Sequence, residues 1–316
     1  MEKIFDVLVV GELNVDLILD KIEKFPEIGK EVIAQNMTLT LGSSSAIFAS
    51  NISSLGAKTS FLGKIGNDKF GDVVLESFQK SKVDTSMIKF DKQFGTGATI
   101  ILNVDEDRAM TTYPGAMNNL TINDIDDDDL QKARHLHFSS YFLQPGMWEG
   151  LGSLFNRAKQ LGLTTSFDMQ WDPYEKWDLD IKGVLPYVDI FLPNEKEIMF
   201  LTQKENLDEA IQSIRQFTNI LVIKRGNKGS IVYHQDQSLE LPPFLNEQVV
   251  DAIGAGDSFN AGFIFKFING CSIADCQKFG NLTGAVSTTR AGGTAAFNDY
   301  ELFKTIAKEQ FNYDVK

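Results

Sequence analysis

The segment 249–263 reads VVDAIGAGDSFNAGF and combines a glycine-rich loop, an acidic residue and apolar residues at helical spacing. Gly254, Ala255 and Gly256 leave the backbone almost uncovered, and Asp257 follows in the first turn of a predicted helix. Backbone N–H groups at the start of a helix form an electropositive seat for an anion. A carboxylate beside that seat would repel a resting phosphate, so we interpret Asp257 as a general base that deprotonates a hydroxyl. The amides would hold the phosphoryl group that the hydroxyl attacks, which indicates a phosphotransferase.

A simpler interpretation of the same residues remains open at this point. A tight turn followed by an acidic residue in the first turn of a helix is favoured by the helix dipole alone. A short glycine-rich loop is a weak motif, so the rest of the chain has to decide between the two.

Polar residues follow the first predicted strand, which segment 11–16 (GELNVD) closes. Ligands of open α/β sheets bind beyond the carboxyl ends of the strands. The amide of Asn14 and the carboxylate of Asp16 suit sugar hydroxyls, each of which donates and accepts a hydrogen bond. Gly42 and Ser43 open the next helix, where small residues allow a ligand close to the backbone. A capped turn and a serine N-cap are the alternatives for the two places.

Apolar runs of strand length alternate with helical patterns along most of the chain. This order predicts βαβ units and a mostly parallel sheet. Strands are predicted at 7–10, 59–62, 135–138, 164–167, 190–192 and 220–223, and helices at 47–55, 72–81, 151–161, 194–201, 207–217, 257–268, 273–289 and 300–311.

Two β-rich segments, 16–41 and 97–114, interrupt this alternation and are too long to be plain connections. We predict that they pair as a small separate sheet near the strand ends, where it would act as a lid. A lid suits phosphoryl transfer because water must be kept from the activated phosphate. Without repeats or linkers, residues 1–316 are predicted to form a single domain.

Composition excludes several classes of protein. With 30 basic and 43 acidic side chains, the net charge of −13 argues against a nucleic-acid binder. The two cysteines, Cys271 and Cys276, form neither a disulfide framework nor a thiolate zinc site, which favours a reduced cytoplasm. No basic leader or membrane-length apolar run is present, so we expect a cytoplasmic protein without a membrane partner.

Taken together, these residues resemble the ribokinase-like (PfkB) carbohydrate kinase family from Gly11 to about Gly293. The resemblance rests on several motifs in the family's order: the glycine-led loop at 42–57, segment 63–71 with its Gly-Asn-Asp, PNEKE at 193–197, KRGNKG at 224–229, and 251–257. It implies a three-layer α/β/α ribokinase-like fold with a mostly parallel central sheet and a small β-sheet lid.

The resemblance also implies roles for individual residues and for cofactors. Asp257 would be the catalytic base, and Gly254, Ala255 and Gly256 would form the anion hole. The sugar pocket would be lined by Asn14, Asp16, Gly42 and Ser43, and ATP would be bordered by Asn194, Lys224, Gly226, Gly229 and Asn281. Glu197, which forms the family's N-x-x-E motif with Asn194, would hold Mg²⁺ through water. Asp251 matches a position that often supports a monovalent cation such as K⁺, and a homodimer through the lid is a further expectation.

The chain departs from the family pattern at four places. Ser43 stands where a second glycine is usual, and Ile47 where an asparagine usually contacts the sugar. The run 168–173, DMQWDP, replaces the frequent Asp-Pro-Asn and its following arginine, and Ala252 replaces threonine. These departures bear on the substrate and leave the base and the anion hole in place.

We therefore expect an ATP-dependent sugar kinase that acts on a free sugar such as ribose or fructose. Segment 14–45 offers only Lys21, Lys24 and Lys30 to the phosphate of a phosphorylated sugar. A nucleoside kinase of the same family is the main alternative, since Phe48 or Trp171 could provide an aromatic platform. A non-catalytic sugar-sensing protein with a kinase fold is another alternative. Loss of activity should first replace Asp257 or the glycines before it, however, and all of them are present. A Rossmann dehydrogenase has no support, because no G-x-G-x-x-G follows the first strand.

Overall fold

The computed structural model describes residues 3–104 and 107–315 of the chain; two residues of the predicted lid, Asp105 and Glu106, lie outside this part. Its strands are β1 Phe5–Val10, β2 Asn14–Asp20, β3 Asn36–Leu41, β4 Thr59–Leu62, β5 Lys64–Gly66, β6 Lys89–Asp91, β7 Gly97–Val104, β8 Asp107–Tyr113, β9 Ala133–Ser139, β10 Thr164–Asp168, β11 Ile190–Phe191, β12 Ile220–Lys224, β13 Ser230–His234 and β14 Gln237–Leu241.

The helices lie between these strands and fill the last quarter of the chain. They are α1 Ser44–Ser54, α2 Lys69–Ser81, α3 Asp127–Leu130, α4 Leu151–Gln160, α5 Ile181–Val184, α6 Glu195–Thr202, α7 Leu207–Ile214, α8 Ala255–Ile268, α9 Ile273–Ser287 and α10 Tyr300–Phe311. Within the described ranges, none of them combines the length and the apolar character that a membrane-spanning helix requires.

The central sheet has eight strands in the order β14-β13-β12-β11-β10-β9-β1-β4. The strands from β12 to β4 pair in parallel, and these are the six strands that the sequence predicts. The mostly parallel sheet is therefore confirmed. The antiparallel hairpin of β13 and β14 at its edge was not predicted.

Helices cover both faces of the central sheet and make three layers. Strand β1 is almost completely buried, and its side chains alternate between two cores, as expected for a strand with both faces covered. Leu8 and Val10 pack in the core that includes residues of α4 and α7, whereas Val7 and Val9 pack in the core that includes residues of α1, α2 and α8. The three-layer α/β/α architecture is confirmed.

A second sheet of four strands, β3-β2-β7-β8, is built from the two segments that interrupt the βα alternation. In one respect the sequence-based prediction was wrong. Asn14 and Asp16 do not close the first strand: β1 ends at Val10, and both residues belong to β2, which pairs with β3 and β7. Since alternate residues of a strand share a face, Asn14 and Asp16 lie on the same face of this second sheet.

Candidate active site at the carboxyl ends of the central strands

A cavity of about 1100 Å³ lies between the second sheet, the ends of β11 and β12, and the start of α8. Most of the predicted site residues line it: Asp16, Ser43, Asn194, Glu197, Lys224, Gly226, Gly229, Gly254, Ala255, Gly256, Asp257 and Asn281. Asn14, Gly42 and Asp251 are not among the lining residues. The structure therefore brings residues from distant parts of the chain to one cavity.

The start of α8 presents backbone amides to this cavity. Gly254 is the N-cap with φ +72°, and a Cβ at this position would lie 2.7 Å from Cα of Gly293, so only glycine fits. The N–H of Ala255 donates to the carbonyl of Ala252 over a long 3.3 Å. The N–H groups of Gly256 and Asp257 donate to no acceptor in the described residues, which leaves them free for an anion.

Asp257 stands at the same helix start with its side chain buried. Its Oδ1 accepts a hydrogen bond from Nε2 of Gln170 at 2.9 Å. Burial, and next the nearby charge of Asp168, raise the pKa of Asp257 well above its ordinary value, while Lys224 opposes the rise. A carboxylate with a raised pKa is a stronger proton acceptor, as a general base requires.

A second carboxylate, Asp168 at the end of β10, is completely buried behind the cavity. It forms an ion pair with Lys224, which ends β12, and accepts a hydrogen bond from Nδ2 of Asn260 on α8. A Cβ on Gly256 would lie 3.6 Å from Nζ of Lys224. The ammonium group of Lys224 therefore lies beside the amides at the start of α8.

Sequence reasoning missed Asp168, Gln170 and Asn260 as members of the site. It noted the run that contains Asp168 and Gln170 only as a departure from a family pattern. The one available signal was the position of Asp168 at the end of a predicted strand, where α/β sheets bind ligands.

Asn194 and Glu197 form a capping box at the start of α6. The side chain of Asn194 accepts from the N–H of Glu197 at 2.9 Å, and Oε2 of Glu197 accepts from the N–H of Asn194 at 2.8 Å. Glu197 is only 3% exposed. Burial, and next the charge of Asp168, raise its pKa to about 7. In the described part of the chain Oε1 has no hydrogen-bond donor, so this oxygen suits a hydrated cation.

The predicted nucleotide side is formed by β12, β13 and α9. Asn281 uses both ends of its amide for the protein: Oδ1 accepts from Oγ of Ser230, and Nδ2 donates to the carbonyl of Pro242. It therefore fixes the wall of the cavity at this end. The cations that line the cavity are Lys196 on α6, Lys224 at the end of β12, and Arg225 and Lys228 in the loop between β12 and β13.

Asp16 stands at the other end of the cavity and is 7% exposed. Burial, and next the charge of Asp251, raise its pKa to about 6. No donor within the described ranges bonds its carboxylate. On the same strand, Nδ2 of Asn14 donates to Oγ1 of Thr99 at 2.8 Å, while its buried Oδ1 is left without a protein partner. Unpaired buried acceptors are costly, so Asp16, which lines the cavity, suits a ligand that brings hydroxyl groups.

Ser43 and Glu12 hold the loop before α1. Oγ of Ser43 accepts from the N–H of Ala46 and lies within hydrogen-bonding distance of the carbonyl and the carboxylate of Glu12. The φ of Ser43 is +69°, a conformation that favours glycine. The hydroxyl of Ser43 therefore shapes the pocket wall from within the protein.

Asp251 and Ile47, two other residues singled out in the sequence, make contacts that hold the loop before α8. Asp251 accepts from the N–H groups of Ile253 and Gly292, at 2.9 and 3.0 Å, and thereby ties the loop before α8 to a second loop. Ile47 is buried, and Cβ atoms on Gly254 or Gly293 would lie about 3 Å or less from its side chain. Ile47 thus supports the loop that carries the free amides.

Neither aromatic residue considered as a nucleoside platform lines the cavity. Phe48 is completely buried and stacks on His137 with ring centroids 3.7 Å apart. Trp171 packs edge-on against Trp177 and Phe200. Neither of these two residues therefore provides an aromatic platform inside the cavity for the base of a nucleoside.

A family model for the pfkB family carbohydrate kinases matches residues 5–299. The chain belongs to this family. It is an ATP-dependent carbohydrate kinase, because this family is made up of such enzymes and the relatives of the chain are named as sugar kinases.

Three comparisons illustrate the relationship. An uncharacterized sugar kinase of Archaeoglobus fulgidus is 30% identical over 76% of this chain and 95% of its own length. A probable fructokinase-5 of Arabidopsis thaliana is 28% identical over 81% and 84%. The ribokinase of Arabidopsis thaliana, solved with ribose and ATP, superposes with a TM-score of 0.83 at 22% identity, covering 96% of this chain and 98% of that one. This last likeness shows that the fold is shared.

Proposed function

We propose that this kinase transfers the γ-phosphoryl group of ATP to a hydroxyl of a neutral free sugar, ribose-like or fructose-like. One observation carries the proposal: the two ends of the cavity offer different groups to a ligand. An unpaired buried carboxylate, Asp16, stands at one end, and free amides with the ammonium of Lys224 stand at the other. The first end suits hydroxyl groups and the second suits phosphates.

In the proposed reaction Asp257 accepts the proton of the attacking hydroxyl. The amides of Gly256 and Asp257 and the ammonium of Lys224 hold the transferred phosphoryl group and stabilise its charge. Glu197 would hold Mg²⁺ through water by its free Oε1, and the ion would neutralise charge on the phosphates of ATP. Asn194 would orient Glu197 through the capping box.

The charge of the cavity favours a neutral sugar over a phosphorylated one. The cations among its described lining residues are Lys196, Lys224, Arg225 and Lys228, and none of them belongs to the second sheet. Arg108 of the second sheet is not a lining residue and pairs with Asp251. Lys24 and Lys30, which the sequence offered to a distal phosphate, are exposed and pair with Glu27. The name of one relative, a probable fructokinase, also favours a free sugar.

The second sheet would act as a lid over the sugar, because it carries Asp16 and because Met110 of β8 lines the cavity. We also propose a homodimer through this lid, because the face of the second sheet opposite to Asp16 carries exposed apolar residues. Leu17 pairs with Leu39 and Ile100 in register, so the three lie on the face opposite to Asp16, and Leu39 and Ile100 are exposed. Light scattering after chromatography should give a dimer mass that Leu39→Asp lowers; a monomer mass for the unchanged protein would remove this part of the proposal.

Two further predictions belong to the same proposal. A monovalent cation such as K⁺ would lie near Asp251, and potassium would then raise the rate in an assay that compares it with sodium. A cytoplasmic location stays a prediction from the two free cysteines.

The direct test is release of ADP by the purified protein with ribose, fructose, fructose 6-phosphate and adenosine. We expect the highest kcat/KM for ribose or fructose. A preference for fructose 6-phosphate would contradict the neutral pocket, and a preference for adenosine would restore the nucleoside alternative. Binding of sugar without turnover of any substrate would indicate a sensor.

A further inference from the structure

The loop after β10 holds Gln170 in an unusual conformation beside the base. The φ of Gln170 is +60°, in the left-handed region that a residue with a side chain rarely adopts. Its N–H donates to Oδ1 of Asp168 at 3.3 Å, and its side chain lines the cavity. Strained conformations of this kind persist where the surrounding contacts require them and are concentrated at functional sites.

The side-chain amide of Gln170 connects the two carboxylates of the site. Nε2 donates to Oδ2 of Asp168 at 3.0 Å and to Oδ1 of Asp257 at 2.9 Å. An amide nitrogen has two hydrogens, so both are used by these carboxylates. A neutral donor between two buried carboxylates separates charges that would otherwise repel each other.

Asp168 is a fixed point for this connection. It is fully buried, pairs with Lys224, and accepts from Asn260, which follows Asp257 by three residues on α8. The backbone of α8 is thus tied to Asp168 through Asn260. The carboxylate of Asp257 is connected to Asp168 through Gln170. Asp168 therefore fixes both the position of α8 and the orientation of the Asp257 carboxylate.

We propose that Gln170 is a positioning residue that holds Oδ1 of Asp257 and so leaves Oδ2 as the atom that accepts the proton of the sugar. In the described residues Oδ2 of Asp257 accepts no hydrogen bond. This inference rests on the proposed role of Asp257 as the base. It gives a function to a residue at which the chain departs from its family.

The consequence is measurable in kcat and in its pH dependence. Without the donor, the carboxylate of Asp257 can rotate, and a misplaced reacting group can lower the rate by about tenfold or more. The charges that act on the pKa of Asp257 are those of Asp168, Lys224, Glu12 and Glu197, from the neighbouring elements. Three of these four are carboxylates, so loss of a neutral donor should move the acidic limb of the pH–rate profile to higher pH.

The test compares Gln170→Met with Gln203→Met. Gln203 is also a glutamine with positive φ, but it is exposed at the end of α6 and does not line the cavity. We expect Gln170→Met to lower kcat about tenfold or more, to move the acidic limb upward, and to leave the KM for ATP within about twofold. Gln203→Met should behave as the unchanged enzyme.

Two further measurements keep the outcome decisive. If thermal melting shows that Gln170→Met does not fold, Gln170→Glu, which keeps the shape of the side chain, replaces it and should lose more rate because it adds a third carboxylate. A kcat within about twofold of the unchanged enzyme, with an unmoved acidic limb, overturns the proposal. Asp257→Asn measured in parallel separates the two ideas: if it inactivates while Gln170→Met does not, the base stands and the positioning role fails.

Discussion

The backbone of Gly42 lies directly against the side chain of Asp16 at the proposed sugar end of the cavity. A Cβ on residue 42 would overlap Oδ1 of Asp16 and would lie 2.8 Å from Oδ1 of Asn14. Glycine at position 42 therefore makes room for a buried carboxylate that has no donor in the described part of the protein. A buried, unpaired carboxylate is costly unless a ligand pairs with it, which makes Asp16 the most direct probe of the sugar site.

Asp16→Ala should raise the KM for the sugar tenfold or more and leave the KM for ATP unchanged. The reason is the loss of charge-assisted hydrogen bonds, which are worth about 1.5–3 kcal/mol each. Asp20→Ala is the matched control, because Asp20 lies on the same face of the same strand and bonds Asn103 instead. A change in the KM for ATP alone would remove Asp16 from the sugar site.

Asp257→Asn should abolish most turnover and leave ATP binding nearly intact. Loss of a general base lowers the rate by about 10²–10⁴-fold. Asp275→Asn is the control, since Asp275 is the third residue of α9 as Asp257 is of α8, but it is exposed. Steady-state rates and calorimetric titration with ATP check the prediction, and a fall in rate of less than about tenfold would exclude Asp257 as the base.

Glu197→Gln should raise the magnesium concentration that gives half the maximal rate. A neutral amide holds the water shell of the ion less well than a carboxylate. Glu209→Gln is the control: Glu209 also stands three residues after a capping asparagine, Asn206, but on the exposed start of α7. If both variants give the same magnesium titration as the unchanged enzyme, Glu197 serves only as a helix cap.

The buried histidines of β9 should make stability depend on pH. Burial, and next the charge of Lys159, lower the pKa of His135 to about 3, and burial also lowers the pKa of His137. The unfolded chain takes up these protons below about pH 6.5, whereas the folded protein does not. This contribution to stability is therefore present above pH 6.5 and is lost progressively as the pH falls toward 3.

Urea unfolding at a series of pH values checks this prediction with His135→Gln. The free energy of unfolding of the variant should be lower than that of the unchanged protein at pH 8. The difference should shrink as the pH falls, because the variant lacks one of the two histidines whose protonation in the unfolded chain destabilises the folded state. His234→Gln, at the partly exposed end of β13, serves as the control. Asp16 and Glu197 act in the opposite direction, since their raised pKa values favour the folded state as the pH falls. Parallel pH curves for His135→Gln and the unchanged protein would contradict the assignment.

The sequence by itself determined those parts of the protein that depend on near neighbours in the chain. The six parallel strands follow from buried apolar runs, and the helix start at 254–257 follows from its glycines and the acidic residue behind them. Asn194 and Glu197 meet because residues at the ends of a helical turn face each other. Such contacts form within a few residues, so spacing alone reveals them.

Only the tertiary structure decided which distant residues meet. The sequence predicted a second sheet from segments 16–41 and 97–114 but placed Asn14 and Asp16 at the end of the first strand. Only the structure shows that both residues belong to β2, which pairs with β3 and β7. Gln170 meets Asp257 across 87 residues, Lys224 meets Asp168 across 56, and Asn260 meets Asp168 across 92. Parallel strands bring their carboxyl ends to one edge whatever their separation in the chain, and the hydrogen bonds made there depend on how the folded strands and helices pack.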